Sequence, residues 1–331
     1  MKSTITYIFR KPDPKYKSIE GVFTNILKLV SEKTKTSLLN LNESGGGLKT
    51  LWSNVTSFKK DKTSIYHITG DVHYMALATG KKTVLTIHDV QSILKGSFFK
   101  QLYLKTFWFW LPALFVNRIT VISNFTKLEL EKVIPFAKKK IKVVHNPVNE
   151  LFSCTNYIFN NKKPRILLLG TKPNKNLENV FQALSTIACE IVLIGKMTKE
   201  QENLAIALDL KINSVFDLNI DEVIEAYKAC DILCFASTYE GFGMPIIEAQ
   251  AMGRPVITSN LGAMKEISAN TAYLVNPYSI ENIRSGIVEV IENSELRESL
   301  ILKGLQNVKR FKSEEISKDY MAIYHEVMAN K

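Results

Sequence analysis

Asp231-Ile-Leu-Cys-Phe-Ala236 is a short apolar run with strand character. It leads directly into Ser237-Thr-Tyr-Glu-Gly-Phe-Gly-Met-Pro-Ile-Ile-Glu248 and then Ala249-Gln-Ala-Met-Gly-Arg-Pro-Val-Ile-Thr258. After Pro245 the spacing is helical, Gly253 stops the helix, and Pro255-Val-Ile-Thr258 reads as the next strand. A strand, a glycine-bearing turn, a helix and a second strand within 28 residues belong to an open α/β sheet. Pro245 suits a first helical turn, where its missing N–H is no loss.

The turn has its own chemistry. Gly241 and Gly243 let the backbone approach a ligand and leave N–H groups free at a helix N-terminus, which suits a phosphate or sugar hydroxyls. Glu240 and Glu248 bracket the turn with seven residues between them. One glutamate here would read as a solvated helix-start residue, favoured by the macrodipole. Two of them around Gly-Phe-Gly-Met-Pro point instead to a polyhydroxylated, phosphorylated ligand, whose vicinal hydroxyls a carboxylate accepts from strongly.

The same alternation runs through the N-terminal half. Ile5-Thr-Tyr-Ile-Phe9 reads as a first strand, Lys11-Pro-Asp-Pro14 as a loop, and residues 18–30 as a helix with Ser18 as N-cap. Ser44-Gly-Gly-Gly47 follows a polar stretch and reads as a flexible loop. Residues 64–69 read as a strand ending at Gly70-Asp71-Val72-His73. Thr83-Val-Leu-Thr-Ile87 is an almost wholly apolar strand ending at His88-Asp89. Groups at the C-terminal ends of parallel strands line the ligand crevice, which puts Asp71, His73, His88 and Asp89 on one rim. Arg118-Ile-Thr-Val-Ile122 is the next strand. Ser123 caps the helix after it, and Ile141-Lys-Val-Val144 closes the set before His145-Asn-Pro-Val148.

The C-terminal half restarts the pattern. Arg165-Ile-Leu-Leu-Leu-Gly170 is a buried strand whose loop, Thr171-Lys-Pro-Asn-Lys-Asn176, opens a helix over about 177–187. A lysine at such a strand end can neutralise a leaving diphosphate. Strands follow at 190–195 and, as a short strand or turn, at 215–218; helices are expected from a cap at Asp221, from Ser279 to about 291, and from Ser313 to 328.

The segment Tyr239-Glu-Gly-Phe-Gly-Met-Pro-Ile-Ile-Glu248-Ala resembles the two-glutamate signature of the retaining glycosyltransferases of family four. Ser123-Asn-Phe-Thr-Lys127, His145-Asn-Pro-Val148 and Lys175-Asn176 resemble further family elements, while Thr171 stands where the family usually carries an arginine and Lys17-Ser-Ile-Glu20 replaces its glycine pair. The resemblance implies a GT-B fold of the α/β class, with two Rossmann-like domains facing each other across a cleft. It divides the chain into an acceptor-side domain (1–150), a linker (151–163), a nucleotide-sugar-binding domain (164–312) and a terminal helix (313–331) returning to the first domain. It implies His88, Lys175 and Glu240 as catalytic residues. Gly170, Lys172, Lys175, Glu240, Phe242, Gly243, Met244 and Glu248 would bind the donor, with Lys172 or, more distantly, Arg254 supplying the second cation. Asp71, His73 and Asp89 are further rim residues. The implied reaction moves a sugar from a nucleotide diphosphate sugar to a saccharide or lipid-linked acceptor, without a cofactor. No Asp-x-Asp motif is present, so metal independence is expected. Alternatives are a sugar-nucleotide epimerase of the same fold and a catalytically silent sugar-nucleotide binding protein.

The net charge of +11 adds a preference for anionic partners: nucleotide phosphates, nucleic acid or an anionic membrane face. No nucleic-acid motif accompanies it. The stretch 98–112 is dominated by aromatics and leucines, interleaved with Lys95, Lys100 and Lys105. It reads as a core helix, as an interfacial helix lying on a bilayer, or as a stacking platform for bases. Cys154, Cys189, Cys230 and Cys234 lack metal-site spacing. The first ten residues are too few and too polar for a signal peptide, so a cytoplasmic protein is expected, with the inner face of the cell membrane in reach.

Overall fold

The structure is a computed structural model, and it describes residues 4–12, 18–93 and 96–329. Asp13 and Pro14 of the first loop, Lys17 of the segment that replaces the glycine pair, and Lys95 of the aromatic stretch lie outside the described residues, as does the Ser18 side chain read as a cap. The chain forms two compact units, Met1–Pro147 with Ser313–Lys331, and Val148–Lys312.

The first unit holds a six-stranded parallel sheet: β1 (Ile5–Phe9), β2 (Thr36–Asn40), β3 (Ile65–Ile68), β4 (Thr83–Ile87), β5 (Arg118–Val121) and β6 (Ile141–Val143). Its order is β2-β1-β3-β4-β5-β6. The register sets Ile5 against Ile65 and Val84 against Arg118. Strands β1, β3 and β4 are buried throughout, as expected of strands covered on both faces. One face packs on the helix Ser18–Ser31 and on the terminal helix Ser313–Ala329, through Phe23, Ile26, Ile316, Tyr320 and Tyr324. The Tyr324 hydroxyl lies 2.6 Å from His67 Nδ1 and 3.0 Å from the Tyr7 hydroxyl, and His67 Nε2 lies 2.8 Å from Thr86 Oγ1. This buried polar chain fixes the terminal helix on the sheet.

The second unit repeats the plan with β7 (Arg165–Leu169), β8 (Glu190–Ile194), β9 (Ile212–Val215), β10 (Ile232–Phe235), β11 (Val256–Ser259) and β12 (Tyr273–Val275). The order is β12-β11-β10-β7-β8-β9, all parallel. Strand order therefore reverses between β7 and β10 here, and between β1 and β3 in the first unit. Ligands of open α/β sheets bind beyond the strand C-termini at such switch points.

Several elements depart from the sequence reading. The helix expected from Asp221 is Ile220–Ala229, and its cap is Asn219, whose side chain and Glu222 form a reciprocal capping box. Strand β9 ends at Val215, and residues 216–218 bend away from it with Asp217 at φ 58°. Gly47 caps an unforeseen helix, Leu48–Ser57. The aromatic stretch is one unbroken helical run: Phe98–Leu104, a π-helical segment Lys105–Trp110, and Leu111–Phe115. Part of it matches the core reading. Trp108 and Phe109 enter the core, whereas Phe98–Leu104 has no buried residue. Among the described residues, no helix is long and apolar enough to cross a membrane.

Candidate functional site

In the second unit the loops after β7 and β10 meet at the switch point. Gly170 closes β7 at φ +79°, and a Cβ there would lie 2.9 Å from Lys175 Cε. Glycine is thus required for the lysine to lie back against the strand end. Lys175 ends the short 3-10 turn Pro173–Lys175, with its Nζ 2.7 Å from Glu240 Oε1 and 4.7 Å from the centre of the Phe235 ring. Asn174 Nδ2 donates to Glu240 Oε1 at 3.1 Å and to the Tyr239 carbonyl at 2.9 Å, while the Thr238 N–H donates to the Asn174 carbonyl at 2.8 Å. Asn176, left-handed at φ 60°, donates to the carbonyls of Ala236 and Pro277. These bonds make one rigid cluster of two loops and hold an ammonium and a carboxylate side by side.

Gly243 caps the helix Met244–Ala251 at φ +109°, a conformation that strains any L side chain. Pro245 occupies the first turn, as its missing N–H allows. Glu248 sits one turn in and accepts the Tyr227 hydroxyl at 2.7 Å. Burial holds its carboxyl above the ordinary carboxylate range, with the Tyr227 hydroxyl and the Lys175 charge pulling the other way. The same environment drives the buried Tyr227 phenol well above its usual value, so it stays a donor. Ser237 Oγ, at the end of β10, is fully buried with no hydrogen-bond partner among the described residues.

The structure brings Gly170, Lys175, Glu240, Gly243, Met244 and Glu248 onto the loops and helix of the switch point. Phe242 is there too, but its side chain is a core anchor lying edge-on to Phe311 at 5.7 Å, so only its backbone remains for a ligand. Lys172 is exposed just before the 3-10 turn. Arg254 is not the missing cation: it is 1% exposed, donates to the Met252 and Lys228 carbonyls, and stacks 3.6 Å from the Tyr157 ring centre. Asn174, Phe235 and Tyr227 were not singled out in the sequence. A cavity of about 500 Å³ lies at the other end of this sheet, near the start of β7 and β8. It is lined by Arg165, Glu190 and Lys211 and touches none of the residues above, so geometry favours the loop cluster as the site.

In the first unit, His88 follows β4 and its Nε2 lies 2.7 Å from the Thr69 carbonyl. A carbonyl only accepts, so Nε2 carries the proton and Nδ1 presents a lone pair. Burial lowers the imidazole's pKa, which keeps this neutral form near neutrality. Asp71 and Asp89 are exposed at the strand ends, and the Asp89 carboxylate accepts from the Gln91 N–H. His73 is not on the rim. It is buried, Nδ1 donates to the Trp108 carbonyl at 2.8 Å, and the ring lies edge-on to Phe109. Burial pushes its pKa down to about 4. Arg10, which the sequence reading passed over, follows β1. It makes a two-point contact with Glu20 at 2.6 and 3.0 Å and lies 3.8 Å from Asp71. It borders a cavity of about 420 Å³ lined also by Glu43, Gly45, Gly46, Tyr74 and Trp108.

Known structures share this architecture. An Anabaena protein, Alr3699/HepE, solved with UDP and glucose, superposes with a TM-score of 0.76 at 16% identity, over 98% of this chain and all of that one. The fold is that of the GT-B glycosyltransferases. The sequence model for glycosyl transferases group 1 matches residues 156–306, and that for glycosyltransferase family 4 matches residues 28–150. The chain belongs to the family-four glycosyltransferases. An uncharacterized glycosyltransferase of Methanocaldococcus jannaschii, MJ1178, is 27% identical over 74% of this chain and 68% of its own length. The O-antigen chain mannosyltransferase RfbU of Salmonella typhimurium is 25% identical over 63% of this chain and 61% of its own length.

Proposed function

We propose that the protein transfers a sugar from a nucleotide diphosphate sugar to a hydroxyl of a saccharide or lipid-linked saccharide, with retention at the anomeric carbon, in surface polysaccharide synthesis. The observation that carries this is the Lys175–Glu240 pair, locked by Asn174 and Gly170 at the switch point beside the helix capped by Gly243. Relatives named as O-antigen mannosyltransferases support the acceptor class. The neighbour solved with UDP and glucose supports the donor class. The epimerase and the silent binding protein considered from the sequence gain no support from these relatives.

In this reading Lys175 neutralises charge that develops on the diphosphate as the anomeric C–O bond breaks, the point where a fixed ammonium counts most. Its ammonium has three donors, so it reaches phosphate oxygens while keeping Glu240. Glu240 and the amides around Gly243 hold the sugar and phosphate. Glu248, oriented by Tyr227, accepts from the ribose hydroxyls. His88 offers Nδ1 to a sugar hydroxyl. Among the described residues, no three His, Cys, Asp or Glu side chains are grouped to hold a metal ion. Neutralisation is assigned to Lys175, with Lys172 as the second cation.

A thermal-shift panel of nucleotide sugars tests the donor role, because a ligand that binds the native state raises its stability by mass action. One nucleotide sugar should raise the midpoint, and product formation should then require an added saccharide acceptor. No shift with any nucleotide sugar, or conversion of the donor without an acceptor, overturns the reading. Coupling constants of the product's anomeric proton report retention.

A further inference from the structure

Helices on protein surfaces normally bury one stripe. In Phe98–Leu104 no residue is fully buried: Tyr103 and Leu104 pack half-buried on the core, while Phe98 is 73% and Phe99 80% exposed, with Lys100 and Leu102 also exposed. The two phenyl rings lie 5.8 Å apart, edge to face. Phe98 and Leu102 are four residues apart and share one face. Further along the same helical run Trp110, Leu114 and Phe115 are exposed. The segment Pro135–Lys140 abuts the end of this run, since Lys140 Nζ donates to the Ala113 and Val116 carbonyls, and it adds exposed Phe136, Lys138 and Lys139.

Along the helical run itself the sequence is basic, with carboxylates only at its flanks. From Val90 to Leu128 the sequence contains no carboxylate, while Lys95, Lys100, Lys105, Arg118 and Lys127 fall within it. Beside the Phe98/Leu102 stripe, Gln101 and Lys105 form the neighbouring row. With Ile93, Trp110, Lys132 and Val133 they line a cavity of about 390 Å³. The Trp110 indole is fixed there by its bond to the Val133 carbonyl at 2.9 Å, and Lys132 pairs with Glu129 at 2.7 Å. The cavity thus presents the Lys105 ammonium, with Lys132 held by Glu129 on its wall and exposed Lys100 beside it, at the edge of an apolar stripe, a layout that suits a phosphate headgroup whose acyl chains lie against the phenyl rings. A second copy of this chain is a poor occupant, because a self-complementary contact would set the same lysines against each other.

We propose that the exposed face of the helical run 98–115, with the Lys105/Lys132 cavity beside it, is a membrane-docking surface that seats the first unit on a bilayer rich in anionic phospholipid. The proposal stands on this surface alone and does not depend on the transferase reading.

Flotation of the whole protein with phosphatidylcholine vesicles, with and without phosphatidylglycerol, tests it. Binding should appear with phosphatidylglycerol only and weaken at high salt, since screening shortens the reach of the lysines. The pair Phe98→Ser and Phe99→Ser should reduce partitioning at least ~10-fold by removing the buried apolar area. Lys100→Glu with Lys105→Glu should reduce it about fivefold or more per site. An unchanged circular dichroism spectrum and melting midpoint show that these surface variants fold. Equal binding to both vesicle types, no binding to either, or unimpaired binding by the serine variant overturns the proposal. So does a concentration-dependent dimer that the same serine substitutions abolish.

Discussion

Replacing Lys175 by methionine keeps the length of the side chain and removes its charge. In the protein as it stands, this strips Glu240 of an ammonium 2.7 Å away and leaves the Asn174 amide as its side-chain donor. The two side chains are only 18% and 17% exposed, so water screens the pair little, yet not as little as in a dry interior. Breaking a fully buried pair costs about 3–5 kcal/mol and an exposed one less than ~1, which places this pair near 2 kcal/mol. At roughly 2–4 °C per kcal/mol for a unit of this size, the second unit should melt about 4–8 °C lower. Glu240→Gln should cost less, because the glutamine amide still accepts from Asn174.

Catalysis separates the two roles. Losing one preorganised charge at a leaving group costs on the order of 10²–10³ in turnover. With donor and acceptor supplied, Lys175→Met should therefore lower kcat by that factor while donor KM moves less. The double variant Lys175→Met/Glu240→Gln measures how far the pair acts as one unit. Its stability loss should fall short of the sum of the single losses by about 1–2 kcal/mol, since the pair can be broken only once. A rise in donor KM with kcat unchanged would refute the leaving-group role. Fully additive stability losses would refute the ion pair.

Glu248→Ala should weaken nucleotide affinity by about 1–3 kcal/mol, and Tyr227→Phe by about 1 kcal/mol through loss of the bond that orients the carboxylate, both read by calorimetric titration. Unchanged affinity in Glu248→Ala would sink the ribose assignment. Gly170→Ala puts a methyl 2.9 Å from Lys175 Cε at a left-handed backbone position; it should cost about 1–2 kcal/mol in strain and lower turnover with little change in acceptor KM. His67 and His73 are buried neutral, with pKa values held down by burial to about 3 and about 4. Their folded pKa values lie below the unfolded ~6.5, so the unfolded chain takes up protons first and their stabilisation, complete above pH ~6.5, is lost as pH falls. Between pH 6.5 and 5, before most carboxylates titrate, these two rings alone should cost up to about 2.7 kcal/mol per pH unit; a flat denaturation midpoint across that window would show that the rings are not buried neutral.

How much could be read beforehand depended on burial. Strand β4 matches its expected bounds, Thr83–Ile87, because every residue in it is buried and the apolar run is the strand. Strand β2 went unread. It is an edge strand whose residues are exposed or half-exposed, so Thr36-Ser-Leu-Leu-Asn40 needs no apolar alternation. The helix Lys199–Ala207 hid for a like reason: only Gln201 and Ala205 are buried, and its start is set by a Thr198/Gln201 capping box rather than by an apolar stripe. At the site, residue types at strand ends were legible and pairings were not. Lys175 and Glu240 are 65 positions apart and become neighbours because β7 and β10 are adjacent, which strand order alone decides. His73 was misplaced because a histidine three residues past a glycine reads as a rim group. The chain instead turns into a 3-10 helix, His73–Met75, that carries the ring into the core.

The two switch points differ in charge, and the difference bears on what each can hold. In the second unit Glu240 holds Lys175 and Glu248 is a second carboxylate, but Lys172 is a further, exposed cation and the helix capped by Gly243 adds the positive end of its dipole, which favours an anion. In the first unit Arg10 is engaged by Glu20 and lies near Asp71, with Glu43 on the same cavity wall. That guanidinium is largely neutralised before any ligand arrives, and with Lys11 against Glu43 and Asp71 the charges on this wall roughly balance. Carboxylates with the Trp108 and Tyr74 rings beside them offer acceptors and apolar faces, which is what a neutral, hydroxyl-rich ring needs. In the proposed transfer, such a division would keep the donor's diphosphate out of an acceptor site in the first unit.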